Sequence, residues 1–162
     1  MNELIDVALG NMPADLVLKN GFILDVYQQS FNKGDLAIHQ GKTVGIGDYQ
    51  GTGEIDCTDR YLVPGLIDGH MHLESTLLLP GEYARMMLPH GITSVIADPH
   101  EIANVSGIEG VRFIMESAKD LPLDFRFMLP SCIPSSPLEE PGSPFGLEEL
   151  QALKDEAQIL GL

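Results

Sequence analysis

Positive charge is scarce in this chain. Nine lysines and arginines stand against twenty-four aspartates and glutamates, a formal net charge of −15 over 162 residues. Phosphate binding needs clustered Lys and Arg, so nucleic acid and anionic membrane surfaces are excluded as expected partners. The acidity reads as a solvated surface that keeps the protein soluble. Cysteine is sparse too: Cys57 and Cys132 lie far apart and fit no CxxC-type spacing. Both are expected to be reduced and packed, as suits a cytosolic protein. No apolar run approaches the roughly 18 residues of a membrane span. Nor does a basic segment with an apolar core open the chain, since Met1–Asn11 carries Glu3 and Asp6 but no Lys or Arg. The expected location is the cytoplasm.

What is present is ordinary globular material, 44% hydrophobic and 20% charged, enough for a domain with a real core. The chain is organised around Tyr61–Glu74, YLVPGLIDGHMHLE. Its apolar run, Leu62 to Ile67, ends in Asp68-Gly69-His70-Met71-His72. If Leu66–His72 is a buried strand, alternation sends His70 and His72 to one side and Met71 to the other. Two imidazoles on one side of a strand end can grip one metal ion. Gly69, without a side chain, would let another group approach closely. A bare HxH is not diagnostic, and two ordinary strand-end histidines explain it equally well. The apolar strand before it and the carboxylate of Glu74 after it favour a metal.

Before this stretch the chain reads as a small β-rich domain, residues 1–60. A short helix is expected over Asn2–Leu9, ended by Gly10 to Pro13. Asn20-Gly21 between Asp15–Lys19 and Phe22–Tyr27 predicts one hairpin, and Gln40-Gly41 between Asp35–His39 and Thr43–Ile46 a second. Gly51–Gly53 reads as a turn before a short strand, Glu54–Cys57. His39 is expected to be a surface or satisfied histidine. From Tyr61 to the end, residues 61–162, strands and helices alternate, which argues for parallel βα units. Strand one is followed by a helix over Gly81–Leu88 that Pro89-His90-Gly91 stops. Strand two is Thr93–Ala97, ending in Asp98-Pro99-His100-Glu101. Ser106 with Glu109 makes a capping-box pattern for the next helix. Strand three is Phe125–Leu129, then a Pro- and Ser-rich loop over Pro130–Pro144, then a helix over Leu147–Leu160.

VPGLIDGHMHLEST resembles the first barrel strand of the amidohydrolase superfamily, metal-dependent hydrolases built on a (β/α)₈ barrel. LPHGITSVIADPHEIANVSG (Leu88–Gly107) and PADLVLKNGFILDVY are similar to the adenine-deaminating branch of that superfamily. The resemblance runs from about Leu4 to the end. It implies an α/β fold, the first three βα units of a TIM barrel preceded by a small β domain. A whole barrel needs about 250 residues, so the chain is expected to be the amino-terminal part of a longer enzyme, and inactive alone.

The same resemblance implies the chemistry. His70 and His72 become ligands of a divalent metal, manganese or iron, with zinc a third candidate, two ions being expected in the complete enzyme. The metal lowers the pKa of its water toward about 7, and the hydroxide attacks C6 of adenine to give hypoxanthine and ammonia. Glu74 stands where relatives acting on carboxylated cyclic amides carry an arginine, so it is expected to accept hydrogen bonds from purine N–H groups. His100, Glu101 and Asp98 are the expected catalytic residues, for substrate contact, proton transfer or a further metal; an Asp before Pro also commonly organises a turn. His90, Arg85 and Arg112 are read as structural or surface charges. The expected partners are adenine and, for the complete enzyme, further copies of itself. Two alternatives remain open: another amidohydrolase, a cyclic amidase or a deacetylase, or a non-catalytic metal-binding fragment that needs a complementary chain.

Overall fold

In the computed structural model, which describes residues 3–136 and 138–162, the chain divides between Pro64 and Gly65 into two units. Asn2 of the expected first helix and Pro137 of the expected loop lie outside the described residues. The first unit holds a short helix α1 (Glu3–Ala8) and five strands: β1 (Ala14–Asp25), β2 (Ser30–His39), β3 (Lys42–Gly47), β4 (Gly51–Asp56) and β5 (Tyr61–Leu62). They form one sheet in the order β3-β2-β1-β4, with β5 also on β1. The β1–β2 and β2–β3 pairs are antiparallel, whereas β4 and β5 run parallel to β1. Val7, Ala14, Val17 and Ala37 make the core.

The second hairpin forms as the sequence indicates. Gln40 and Gly41 both have positive φ, 50° and 71°, and His39 pairs with Lys42 around them. That is the backbone a two-residue hairpin turn requires. The first does not form. β1 runs straight through Asn20-Gly21, and its turn into β2 falls at residues 26–29. Asn20 is left-handed, φ 63°, but it makes a register shift between Leu18 and Gly21 rather than a reversal. The two uses share one local signal, and a distant partner decides between them. Here the partner is Asp35, whose Oδ1 accepts the Asn20 N–H at 2.9 Å while Lys19 bonds Oδ2. Leu62 fills the space where a side chain at residue 21 would stand, 2.7 Å from an ideal Cβ. The expected turn at Gly51–Gly53 is likewise strand, the start of β4. His39 proves buried rather than exposed, with Nδ1 3.0 Å from Asp15 Oδ1.

The Asp35–Lys19 pair makes the first unit sensitive to acid. Burial pushes the Asp35 carboxyl up, but the Lys19 and Asn20 hydrogen bonds and the Lys19 charge outweigh it and hold the group below its ordinary value. A depressed folded value gives stability that is fully present above the unfolded carboxylate pKa of about 4 and lost as pH falls through the folded value. Asp35→Asn is expected to flatten this acid limb in urea titrations repeated from pH 6 to pH 2. An unchanged slope would contradict the assignment.

The second unit alternates strand and helix: β6 (Leu66–Met71), α2 (Pro80–Met87), β7 (Ile92–Ala97), α3 (His100–Ser117), β8 (Asp124–Met128), α4 (Leu147–Leu153) and β9 (Ile159–Gly161). The sheet is wholly parallel, in the order β6-β7-β8-β9. Its core joins Val95, Phe125 and Phe127 to Ala103, Val111, Ile114 and Met115 of α3. Pro89-His90-Gly91 ends α2 as expected: Leu88–His90 tighten into a 3₁₀ turn, and Gly91 takes φ 86°. Among the described residues no helix is long and apolar enough to cross a membrane.

Several expectations are corrected here. Strand one is not buried along its length, since Leu66 and Ile67 on β6 are exposed; this strand has a neighbour on one side only. Helix α3 begins at His100, six residues before Ser106. Its Gly107 is non-helical, φ 60° and ψ −150°, so the capping signal at Ser106 lies beside a break inside a longer helix. The last helix stops at Leu153, and Ile159–Gly161 form a fourth strand paired with β8. Leu150, Leu153, Ala157 and Leu160 have helical spacing, yet the strand edge of β8 captures residues 159–161. Cys57 is buried as expected, but Cys132 is exposed.

Candidate metal centre

The parallel ladder brings the two histidine-bearing stretches together. The Asp98 N–H donates to the Met71 carbonyl at 2.9 Å, so the residue that follows β7 is held beside the end of β6. His70 and His72 share one side, with Nε2 atoms 3.2 Å apart and Met71 buried. The pairing is irregular between Asp68 and Met71, where the His70 N–H meets Asp68 Oδ1 at 3.3 Å. No group approaches Gly69: an added Cβ would meet nothing within 4 Å.

Asp98 orients both neighbouring rings. His72 Nδ1 lies 3.0 Å from the Asp98 carbonyl oxygen. A carbonyl only accepts, so Nδ1 carries the proton and Nε2 presents its lone pair toward His70. His100 Nδ1 lies 3.1 Å from Asp98 Oδ2, which assigns its proton in the same way and leaves Nε2 free. The His72 and His100 rings stand 4.6 Å apart, edge to face. One ligand atom each from His72, Asp98 and His100 lies within 4.8 Å of the others.

These residues fit a divalent cation. Two nitrogens about 2.1 Å from a tetrahedral ion stand about 3.4 Å apart, close to the 3.2 Å between the Nε2 atoms of His70 and His72. Asp98 Oδ1 is buried without a hydrogen-bond partner, a costly state for a carboxylate oxygen that a cation would relieve. His72 belongs to both groupings. It faces His70 on one side and the Asp98–His100 pair on the other.

The remaining candidates, Glu74 and Glu101, follow His72 and His100 in the chain. Glu74 Oε1 accepts the Ile102 N–H at 2.9 Å, and its Oε2 is buried without a hydrogen-bond partner. Ser75 Oγ donates to the Glu101 carboxylate, at 2.9 Å to Oε1 and 3.2 Å to Oε2. Ser75 is the residue the sequence reading passed over. Its only signal was a hydroxyl directly after Glu74. His90 lies on the turn that closes α2, and Arg85 pairs with Glu82 on the exposed face of the same helix.

Comparison with known proteins gives the family and the fold. Residues 61–160 match the amidohydrolase family. An adenine deaminase of Bacillus velezensis is 48% identical over 160 residues, 99% of this chain and 28% of that protein. Those of Geobacillus kaustophilus and Archaeoglobus fulgidus are 48% and 46% identical over 162 residues, all of this chain and 28% and 29% of theirs. The chain thus spans less than a third of the length of the curated relatives it matches. Among solved structures, an N-acyl-D-glutamate deacylase from Bordetella bronchiseptica, complexed with zinc and a phosphonate inhibitor, superposes with TM-score 0.57 at 18% identity. The match covers 89% of this chain and 35% of that one. A D-hydantoinase from Thermus sp. gives 0.50 at 23% identity, over 70% and 27%. These last two likenesses are of fold.

Proposed function

Because the chain belongs to the amidohydrolase family, we propose that it supplies the amino-terminal part of a metal-dependent adenine deaminase, which converts adenine and water to hypoxanthine and ammonia. One observation carries the reading: His70, His72, Asp98 and His100 converge at the carboxyl ends of two adjacent parallel strands. That is where a (β/α)₈ barrel keeps its catalytic groups. The relatives' names then select the substrate. In this reading residues 1–60 are the small β-rich domain, and residues 61–162 are the first three βα units of the barrel with the start of a fourth strand. The complete enzyme is a cytoplasmic homo-oligomer that binds neither nucleic acid nor membrane.

His70 and His72 would hold a divalent ion, manganese or iron before zinc, in a centre of two ions once the later strands are present. When bound, the ion supplies the Lewis acidity that makes a water acidic at neutral pH. The chain's own residues do the rest. Asp98 keeps both histidine rings in one tautomer through its carbonyl and its Oδ2. His100, its Nδ1 proton held by Asp98 Oδ2, would take up at its free Nε2 a proton released by the attacking water and pass it on to the departing C6 amino group, and Glu101 is the neighbouring carboxylate that takes up protons. Glu74 has Oε1 committed to Ile102 and Oε2 buried, which leaves it no open oxygen for a purine N–H.

The experiment is ammonia release from adenine, with cytosine, a cyclic amide and an N-acyl amino acid as competitors. The 162-residue chain alone is expected to release none, because its three clustered histidines and nearby carboxylates lack a barrel wall and the ligands of later strands. The longer protein is expected to turn over adenine above the competitors. Turnover of a cyclic or acyl amide in its place would overturn the substrate, and brisk turnover by the short chain would overturn its incompleteness.

A further inference from the structure

Helix α3 starts without a cap of its own. Its N-cap residue is Pro99, whose ring offers no acceptor and makes no side-chain cap hydrogen bond. A helix leaves its first N–H groups without intrahelical partners, and the N-cap side chain ordinarily bonds the second or third of them. Ile102 holds the third position, after His100 and Glu101, and its N–H is met by Glu74 Oε1 at 2.9 Å from another part of the chain. The anionic carboxylate also suits the positive end of the helix. Beside it Ser75 Oγ grips both oxygens of Glu101. Two consecutive residues after β6 therefore tie down two residues of the turn that carries His100.

We infer that Glu74 is a positioning residue, which caps α3 from the segment after the neighbouring strand β6 and thereby sets where His100 and Glu101 stand relative to His72. The inference rests on the proposed function only in taking His100 and Glu101 as working residues. Burial supports it over direct substrate contact: Oε1 is committed and Oε2 is enclosed. The neighbouring cavity, about 290 Å³, is lined by Glu74 together with Leu77, Leu79, Ile102 and Phe113. It is an apolar space, ill suited to a purine edge that offers N–H groups.

The test uses the full 162-residue chain, with backbone amide exchange read by NMR and Co²⁺ as a spectroscopic probe of the histidine cluster. In the unmutated chain the Ile102 amide is expected to exchange more slowly than that of Glu101, which has no such partner. Glu74→Ala is expected to speed exchange at Ile102 about fivefold, the usual worth of a lost cap, and to shift the visible bands of bound Co²⁺. Glu74→Gln keeps an acceptor oxygen and is expected to restore both. Val111→Ala, a cavity in the same helix, controls for general loosening and should leave the Co²⁺ bands in place. Equal exchange at Ile102 and Glu101 in the unmutated chain would overturn the cap. So would a Glu74→Gln variant as damaged as Glu74→Ala, and no bound Co²⁺ spectrum would overturn the link to the ligands. None of these readouts uses adenine, so a failure of the proposed activity leaves them standing, and the reverse.

Discussion

Replacing His72 by alanine is expected to weaken divalent-cation binding by this chain more than about a hundredfold, beyond the 10- to 100-fold that loss of an orienting neighbour costs. His72 is the ring both groupings share. Its Nε2 faces His70 Nε2 at 3.2 Å, and its Nδ1 is bound to the Asp98 carbonyl at 3.0 Å. Without it, His70 is left alone and Asp98–His100 remain as a pair. His70→Ala leaves His72, Asp98 and His100 together, and His100→Ala leaves the His70–His72 pair with Asp98, so their losses are expected to be smaller. Competition between the protein and a chromogenic chelator for Zn²⁺ or Mn²⁺ would rank the three variants, with far-UV dichroism confirming that the fold persists. Equal losses in all three would mean that the ion is not centred on His72. An unmutated affinity in His72→Ala would remove the metal centre altogether.

The part of this site legible in the sequence is the part governed by local periodicity. Alternation alone puts His70 and His72 on one side of a strand, and the end of β6 obeys it. The strand–helix–strand order of parallel units then puts Asp98 beside Met71, because consecutive strands of such a sheet pair. Hydrogen bonds between distant parts of the chain were not legible. Nothing in the spacing of Glu74 and Ile102, 28 residues apart, signals that a carboxylate will cap a distant helix. The same limit explains the first hairpin. Asn20 is left-handed as its type allows, but whether such a residue turns the chain or only bulges it was decided by Asp35, fifteen positions on. Residues 159–161 fail for the opposite reason: their helical spacing is real, and an available strand edge overrides it. Propensity and pattern are local, and tertiary partners outbid them where the local margin is small.

The sheet that carries the metal centre should depend most on Phe127. β8 is an interior strand, paired with β7 on one side and β9 on the other. Phe127 is fully buried on it, its ring 6.4 Å from that of Phe125, which in turn lies 6.1 Å from Tyr83 of α2. Phe127→Ala removes a whole aromatic side chain from a place where strands on both sides resist collapse, and such cavities cost about 3–5 kcal/mol. Domain stabilities are only about 5–15 kcal/mol, so this one change is expected to consume about a fifth or more of the margin. Urea unfolding followed by dichroism should show a lower midpoint with an unchanged slope, the mark of lost stability rather than altered compactness. Phe113→Ala is the matched comparison. Its ring is 56% exposed on α3, and a surface change of that kind is expected to stay within about 0.5 kcal/mol. If the two variants unfold alike, the core does not lie between sheet and α3. The histidines would then have lost the rigid floor on which their 3.2 Å approach depends.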